Sequence, residues 1–247
     1  MNKVSLLAYT PDAEKLVAMS AKLCYSNVGI NKMKENLTEE KTVPFIEMLM
    51  KLGHESPLEH ISFTFALEGI SRALLAQITR HRIASYSVQS QRYVKNDNFQ
   101  FIVPSEIEKI KEAKEEFLKA MKESLEHYEK ITNILISKYE NDKIDYKEAE
   151  KKAIEDARFV LPNASETKII CTFNARSLMN FFNHRCCNRA QWEIREVAKE
   201  MLLLVREVCP TIFKTTGPLC ISGPCPEGRM SCGKKDEMIK IYLRKSE

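Results

Sequence analysis

The chain has 247 residues, of which 44% are hydrophobic and 29% are charged, and its net charge is +4. This balance is typical of a globular protein with a sizeable core and excludes a disordered chain. The small net charge argues against a protein that coats nucleic acid over its whole surface. Four of the seven glycines lie beyond residue 216, so the first 216 residues hold neither a G-x-G-x-x-G turn nor a P-loop.

The N-terminal segment lacks the features of an exported or membrane-anchored protein. Its short apolar stretch soon meets Asp12, Glu14 and Lys15. No segment approaches the roughly 18 consecutive apolar residues that a membrane helix needs. We therefore expect a cytoplasmic protein without a membrane partner, whose eight cysteines are reduced thiols.

Periodicity predicts the first elements of the chain. Apolar spacing favours a strand over residues 3–9 and helices over residues 12–24 and 38–52. From Ile61 to Leu67, apolar residues alternate with smaller or more polar ones, which indicates a half-buried strand.

The next segment is predicted to turn from strand to helix. We expect Gly69 to end the strand and Ser71 to cap a helix that runs to about residue 81. Such a helix would carry Gln77 and Arg80 on one face, because they are three residues apart.

The second half of the chain is predicted to be mostly helical. Helical patterns cover residues 105–159, with a break near Asn141, and residues 175–185 and 190–208. Residues 167–173 are predicted to form a further strand. The first helical region carries an apolar stripe: Leu118, Met121, Leu125, Tyr128 and Ile131. After residue 216 the composition changes to Gly, Pro and Cys. We predict a single α+β domain over residues 1–216 and an irregular tail over residues 217–247.

A basic cluster follows the helix expected near residue 71. Arg80, His81 and Arg82 are consecutive, and Ser90 and Arg92 come soon after. Arginines this close repel each other unless an anion lies among them, and guanidinium groups bind phosphates and carboxylates through two bonds. The alternative is a solvated basic loop with surface ion pairs.

Residues 54–60 concentrate donors that suit a metal ion: His54, Glu55, Glu59 and His60. However, Pro57 disturbs the helical spacing that would bring them to one face. The alternative is a capping box, in which Ser56 caps a turn and Glu59 is its partner three residues later.

The helix predicted over residues 175–185 has two distinct faces. One face carries four residues: Leu178, Phe181, Phe182 and Arg185. A guanidinium at the end of an apolar stripe is costly unless it meets an anion or an acceptor, so Arg185 either binds a ligand or extends outward to water. The other face carries donors and acceptors that suit a polar ring: Arg176, Asn180 and His184.

Cysteines allow two further hypotheses. The tail carries three thiols at spacings unlike those of a zinc ribbon: Cys220, Cys225 and Cys232. A metal site there needs a fourth ligand, such as Cys209. Cys186 or Cys187, with His184 as base, is a candidate nucleophile. Residues 228–235 nearly spell a P-loop, but Lys235 stands where a hydroxyl residue should hold magnesium.

Three blocks of sequence together resemble one family. Arg80-His81-Arg82, seven further residues and then Ser90 match the RHR-x7-S signature of the flavin-dependent thymidylate synthases. Residues 53–60 and residues 174–193 are similar to flanking segments of the same family. The resemblance covers about residues 40–208 and does not include the tail.

The resemblance implies the reductive methylation of dUMP to dTMP. In this reaction 5,10-methylenetetrahydrofolate gives the carbon, NADPH gives the electrons and FAD carries the hydride. It also implies a central, mainly antiparallel sheet with long flanking helices. The family is homotetrameric, with flavin sites built from several subunits. For this chain we expect neither a metal site nor a nucleic-acid partner.

The resemblance assigns site residues position by position. The FAD site is expected to comprise Ser56, Arg80, His81, Arg82, Val88, Asn174, Ala175, Arg176 and Asn180. His54 and Glu59 are expected to line the flavin pocket. The dUMP site is expected to comprise Gln77, Arg80, Val88, Gln89, Ser90, Gln91, Arg92, Arg158 and Arg185.

Three of these positions carry particular expectations. Arg185 is the expected catalytic residue, whose charge favours the N3-deprotonated uracil and so makes C5 more nucleophilic. Ser90 is expected to position the substrate rather than attack it, because it has no adjacent base. Family members often have Glu or Gln where this chain has Val88, so any contribution of Val88 is expected from its backbone.

Three alternative functions stay open at this point. The arginine-rich segments suit an RNA- or nucleotide-binding module, although no aromatic residues interleave with a basic sheet face. The tail thiols suit a metal-stabilised structural protein. A flavoenzyme with another reaction is the nearest enzymatic alternative.

Overall fold

The structure is a computed structural model that describes residues 3–92 and 100–243. Within these residues, four strands form one antiparallel sheet in the order β1-β2-β4-β3. The strands are β1 (Lys3–Tyr9), β2 (Ser62–Ser71), β3 (Ser85–Val88) and β4 (Glu166–Asn174). The predicted α+β fold with an antiparallel sheet is therefore confirmed.

Helices account for most of the remaining described chain. They are α1 (Ala13–Leu23), α2 (Ile30–Asn36), α3 (Glu39–Leu52), α4 (Arg72–Ile78), α5 (Ser105–Lys109), α6 (Lys111–Asn141), α7 (Tyr146–Ala157), α8 (Ala175–Arg185), α9 (Trp192–Val208) and α10 (Lys235–Tyr242). The sequence predicted most of these helices but neither α2 nor α10. In residues 3–92 and 100–243, no helix combines the length and apolarity needed to span a membrane.

The central strands β2 and β4 show the alternation that their sequences predict. In β2, Phe63, Phe65 and Leu67 are completely buried, and the residues between them are only partly buried. The hydroxyls of Thr64 and Thr172 lie 2.9 Å apart across the two strands. Period-two alternation therefore fixes which face of each strand enters the core.

The prediction that Gly69 ends the strand is wrong. β2 continues to Ser71, while Gly69 has a φ of 66°. Glycine has no Cβ, so it takes this left-handed conformation without a steric penalty and the strand continues past it.

Helix α4 is shorter than predicted. Ser71 does cap it, because its Oγ accepts a hydrogen bond of 3.0 Å from the N–H of Leu74. The helix ends at Ile78 rather than near residue 81, so Gln77 and Arg80 do not share a helix face. The reason is that the Tyr86 hydroxyl binds the carbonyls of Ile78 and His81, each at 2.8 Å, and so holds a turn there.

The chain divides into two compact units, which are described separately. The first comprises Glu68–Ala76 and Val88–Ile169. In it, α6 packs along α7 and buries Met121, Tyr128 and Ile136. Leu118, predicted to belong to this apolar stripe, is instead 39% exposed.

The second unit comprises Asn2–Leu67, Gln77–Ser87 and Ile170–Glu247. Its core includes a chain of aromatic rings: Phe63, Phe173, Phe181, Phe182 and Phe213. Their centroids lie 5.5–6.1 Å apart, within the range of favourable ring contacts. This cluster supports α8, which carries several of the predicted site residues.

The tail is more ordered than its composition predicts. It contains α10 and two short 3-10 turns, Leu219–Ile221 and Gly228–Met230. Met238 and Tyr242 are buried, and the Tyr242 hydroxyl donates to the Cys186 carbonyl at 3.2 Å. Apolar residues spaced along α10 therefore pack against the rest of the second unit despite the Gly- and Pro-rich flanks.

Candidate active site

The RHR segment is a turn held by a tyrosine. Tyr86 in β3 donates its hydroxyl to the carbonyls of Ile78 and His81, and its ring packs 5.9 Å from that of Phe173. Burial is the main cause that raises the pKa of Tyr86, so the hydroxyl stays a donor. The sequence did not indicate this role of Tyr86, because no local pattern shows which carbonyls its hydroxyl reaches.

Arg185 and His81 are in direct contact within the second unit. The Nε of Arg185 donates to Nε2 of His81 at 3.0 Å, and its Nη2 donates to the Gln77 carbonyl at 3.2 Å. Arg185 lies at the end of the apolar stripe of α8. Its guanidinium therefore has two hydrogen-bond acceptors rather than open water. The helix geometry predicted for residues 175–185 is confirmed.

His81 is held as a neutral imidazole. Burial, followed by the charge of Arg185 and the proximity of His184, lowers the pKa of His81 to about 4. Since Nε2 accepts from Arg185, the proton of the neutral ring resides on Nδ1. The ring also lies edge-on to Phe181, with 5.0 Å between centroids.

The His81→Gln variant tests this neutral state. The pKa of His81 is lower in the folded protein than its ordinary value of 6.5. The neutral ring therefore contributes stability above pH 6.5, and this contribution is lost as the pH falls towards 4. We expect the free energy of unfolding of the wild type to fall more steeply over this interval than that of His81→Gln, measured by urea denaturation.

A matched control is available on α6. His127 is exposed, so His127→Gln should leave the wild-type pH profile unchanged. Parallel profiles for wild type and His81→Gln would contradict a neutral, buried His81.

A cavity of about 630 Å³, here called the polar cavity, lies beside the RHR turn. Charged and amide side chains line it, including Glu55, Glu59, Arg80, Arg82, Arg176 and Asn180. Arg80 and Arg82 are exposed, and in the described residues no carboxylate lies within the 4.0 Å of an ion pair to either of them. Two uncompensated cations beside amides suit an anionic, polar ligand.

Arg176 is already paired. Its Nε donates to Glu55 at 3.2 Å and its Nη1 to Glu59 at 2.5 Å. Glu59 therefore does not form the capping box that was one hypothesis, and the turn Ser56–His60 has no side-chain cap. Glu55, considered from sequence only as a metal ligand, also lines this cavity.

The other residues assigned to FAD differ in accessibility. Asn174 uses its side-chain oxygen to cap α8, accepting from the Ser177 N–H at 2.8 Å. Ala175 is fully buried and donates its N–H to the Ile61 carbonyl at 3.0 Å. Ser56 is exposed but does not line the polar cavity, and His54 lines a different cavity.

A second cavity, of about 650 Å³, is here called the tail cavity. It shares Arg80, His81 and Asn180 with the polar cavity, and Arg185 lines it. Tail residues form its opposite wall, including Leu219, Cys220 and Lys235. Arg189 fastens this wall through Glu227 at 2.9 Å and the Met230 carbonyl at 2.7 Å.

The structure bears on both cysteine hypotheses, the metal site in the tail and the nucleophile at Cys186 or Cys187. Four thiols line the tail cavity: Cys187, Cys220, Cys225 and Cys232. Cys209, suggested as a fourth ligand, lies elsewhere and is fully buried. Among residues 3–92 and 100–243, no group of three or more His, Cys, Asp or Glu side chains is arranged to hold a metal ion. Burial raises the pKa of Cys186 to about 12, which disfavours it as a nucleophile.

The first unit brings together three residues that the resemblance assigns to dUMP. Arg92 binds Glu155 at 3.0 Å through Nη2, and the Nε of Arg158 donates to the Glu155 carbonyl at 3.1 Å. The Ser90 hydroxyl accepts from the Arg92 N–H at 3.1 Å. This arginine cluster is a second region of concentrated positive charge.

Backbone groups of the segment before Ser90 form hydrogen bonds with neighbouring residues. Val88 is the half-buried last residue of β3. The Gln89 N–H donates to the Lys168 carbonyl at 3.0 Å, and the Gln89 carbonyl accepts from Arg72 at 2.9 Å. Both backbone groups of Gln89 therefore have hydrogen-bond partners within the first unit, while Gln91 lies half-buried beside Ser90.

Comparison with known proteins identifies the family. A family model described as "Thymidylate synthase complementing protein" matches residues 5–211. The chain belongs to this family. The resemblance read from three sequence blocks is thus confirmed.

Curated relatives are similar over nearly the whole chain. A "Flavin-dependent thymidylate synthase" of Clostridium tetani is 61% identical over 98% of this chain and 97% of its own length. A protein of the same name from Geobacter sulfurreducens is 48% identical over 99% of both chains. A third, from Pyrococcus abyssi, is 40% identical over 92% of this chain and 90% of its own. The first two similarities extend into the tail, which the sequence blocks did not cover.

Proposed function

We propose that this protein methylates dUMP reductively to dTMP, with 5,10-methylenetetrahydrofolate as carbon donor, NADPH as reductant and FAD as bound cofactor. The observation that carries the proposal is the pair of Arg185 and neutral His81, which presents a guanidinium to a cavity next to the RHR turn. Family membership and the names of the curated relatives support the same reaction.

The donor set of the polar cavity fits FAD. The cations of Arg80 and Arg82 suit the pyrophosphate, and the amide of Asn180 suits the polar edges of the flavin or adenine. His81, Asn174 and Arg176 also line this cavity, and the resemblance adds Ser56, Val88 and Ala175 to the proposed FAD contacts. Arg176 would exchange its bonds with Glu55 and Glu59 to reach the cofactor, or else organise these carboxylates beside it. When bound, FAD supplies the hydride that NADPH delivers.

Arg185 acts on the uracil ring in this proposal. A guanidinium keeps its proton at neutral pH, so it is not a base. Its positive charge stabilises the N3-deprotonated uracil, which raises the electron density at C5. His81 fixes the orientation of Arg185 because its Nε2 accepts the Arg185 Nε–H, and Gln77 provides the second acceptor.

The arginine cluster of the first unit binds the substrate phosphate in this proposal. Arg92 and Arg158 supply the charges, and Ser90 supplies a hydroxyl. Arg80, Val88, Gln89 and Gln91 complete the proposed dUMP contacts. Glu155 compensates Arg92 until the phosphate is bound.

Ser90 is proposed to position dUMP rather than to attack it. Its hydroxyl accepts from the Arg92 N–H, and this contact does not increase its nucleophilicity. We expect Ser90→Ala to retain measurable dTMP formation, with KM for dUMP raised more than kcat is lowered. Complete loss of turnover with dUMP binding intact would contradict this positioning role.

The proposal includes a homotetramer with active sites built from several subunits, as in the resembling family. Sedimentation velocity on the purified protein tests this part. A monomer that is fully active would exclude shared sites.

The reaction itself is tested by tritium release from C5 of labelled dUMP. The assay contains methylenetetrahydrofolate, NADPH and FAD, and is repeated after FAD has been stripped and omitted. Release that depends on FAD, together with formation of dTMP, supports the proposal. Flavin binding without tritium release would favour a flavoenzyme with another reaction.

A further inference from the structure

Tyr86 lies in β3 and occupies one of the seven unspecified positions of the RHR-x7-S signature, so neither motif nor resemblance assigns it a role. Its hydroxyl lies 2.8 Å from the Ile78 carbonyl and 2.8 Å from the His81 carbonyl. A phenol has one proton, so these two carbonyls share it. The His81 N–H also donates to the Ile78 carbonyl, at 3.1 Å. Tyr86 therefore closes the turn between Ile78 and His81.

The same short segment supplies both acceptors of the Arg185 guanidinium. The Nε of Arg185 donates to Nε2 of His81 at 3.0 Å, and its Nη2 donates to the Gln77 carbonyl at 3.2 Å. Gln77 directly precedes Ile78, so the two acceptors lie at the two ends of the segment that Tyr86 closes. A shift of this turn therefore moves both groups that orient Arg185.

Tyr86 is itself held firmly by the aromatic core. Its ring lies edge-on to that of Phe173, with 5.9 Å between centroids, and Phe173 is completely buried. Phe173 lies 5.6 Å from Phe181, whose ring lies 5.0 Å from that of His81. Burial raises the pKa of Tyr86 above its ordinary value, so the hydroxyl keeps its proton at neutral pH. Hydrogen bonds and ring contacts thus connect Tyr86 to His81 by two separate routes.

We propose that Tyr86 is a positioning residue, whose hydroxyl fixes the turn that carries His81 and thereby the orientation of Arg185. This inference rests on the proposed function for the identity of the ligand that Arg185 meets. A phenylalanine at this position keeps the ring contact with Phe173 but removes the shared proton, which leaves both carbonyls without this donor. The guanidinium then loses its fixed direction, and small errors in the placement of a charge-stabilising group lower the rate of a reaction.

Tyr86→Phe is expected to lower kcat for dTMP formation about tenfold and to leave the KM for dUMP within about twofold. The double variant with Arg185→Ala separates positioning from a general loss of stability. If Tyr86 acts through Arg185, Tyr86→Phe should lower kcat no further once Arg185 has been replaced by alanine. An unchanged kcat in Tyr86→Phe, or the same tenfold loss in both backgrounds, would overturn the proposal.

The pKa of His81 gives a readout that does not depend on turnover. In the wild type, burial, the charge of Arg185 and the proximity of His184 lower this pKa to about 4. A loosened turn lets water reach His81 and moves Arg185 away, so Tyr86→Phe should raise the pKa of His81 towards its ordinary value of 6.5. NMR titration of the imidazole resonances measures this change, and His81→Gln identifies the resonance among those of the five histidines.

Tyr242→Phe is the matched control. The Tyr242 hydroxyl also donates to a backbone carbonyl, that of Cys186 at 3.2 Å, and burial also raises its pKa. Cys186 directly follows Arg185, so this control shows whether a disturbance at the end of α8 is sufficient. We expect Tyr242→Phe to lose stability but to keep kcat within about twofold of wild type and the pKa of His81 at about 4. Equal effects of the two tyrosine substitutions would contradict a specific role of Tyr86.

The two readouts distinguish failure of this inference from failure of the proposed function. If the pKa of His81 rises in Tyr86→Phe while the wild type forms no dTMP, the thymidylate reaction is wrong and the effect of Tyr86 on His81 and Arg185 stands. If dTMP forms, and Tyr86→Phe matches the wild type in kcat and in the pKa of His81, the reaction stands and the role of Tyr86 is wrong.

Discussion

The Arg185→Ala variant is expected to lower kcat for dTMP formation about 100-fold, with a smaller effect on dUMP affinity. The reason is that the guanidinium stabilises charge that develops on the uracil, and loss of one such group typically costs a factor of about 10² to 10³. Arg185 reaches the tail cavity with its orientation fixed by His81 at 3.0 Å and the Gln77 carbonyl at 3.2 Å. Tritium release and dTMP formation under saturating dUMP measure the effect.

Two further variants show whether the loss of kcat in Arg185→Ala comes from the missing guanidinium. Arg185→Lys keeps a positive charge but cannot donate to His81 and Gln77 in the same geometry, so we expect it to recover only part of the activity. Arg195→Ala removes a half-buried arginine of α9 that donates to the Asn188 carbonyl at 2.8 Å, and it should leave kcat within about twofold of wild type. Wild-type kcat in Arg185→Ala would refute the catalytic assignment.

The Phe181→Ala variant is expected to destabilise the protein by about 3–5 kcal/mol. Phe181 is completely buried and its ring contacts those of Phe173 at 5.6 Å, Phe182 at 5.7 Å and His81 at 5.0 Å. Truncation removes apolar burial and leaves a cavity under α8, at the point where the helix supports His81. Urea unfolding at fixed protein concentration measures the change.

Phe159 provides the matched control for this substitution. It is 83% exposed, so Phe159→Ala should change the free energy of unfolding by less than about 0.5 kcal/mol. Phe181→Leu fills most of the space and should cost less than about 1.5 kcal/mol. A loss below about 1 kcal/mol for Phe181→Ala would mean that the aromatic cluster does not hold α8 in place.

Phe181 and Arg185 show how the candidate site depends on the core. Phe181 and Arg185 are four residues apart on α8, so one face of a single helix supplies both the buried anchor and the functional cation. The neutral state of His81 follows from the same arrangement, because Phe181 and Arg185 both pack against the imidazole. Stability and chemistry are therefore coupled in this part of the molecule.

The sequence by itself determined the main elements and the family. Period-two alternation predicted β2, and helical spacing predicted α8 and α9, because side chains that enter a core must follow the backbone repeat. Residues 167–173 were also predicted as a strand, which is β4. The RHR-x7-S signature and its flanking blocks indicated the family by resemblance. The closely spaced arginines indicated an anion site, since they repel each other without an anion.

Only the tertiary structure decided which side chains meet. No local pattern indicates that Tyr86 shortens α4, that Arg176 pairs with Glu55 and Glu59, or that the tail lines the cavity of Arg185. The contacts that connect Tyr86 to Arg185 also join residues far apart in the chain. The physical reason is that hydrogen bonds, desolvation and charge interactions depend on distance in space, whereas sequence periodicity reports only which face of an element is buried.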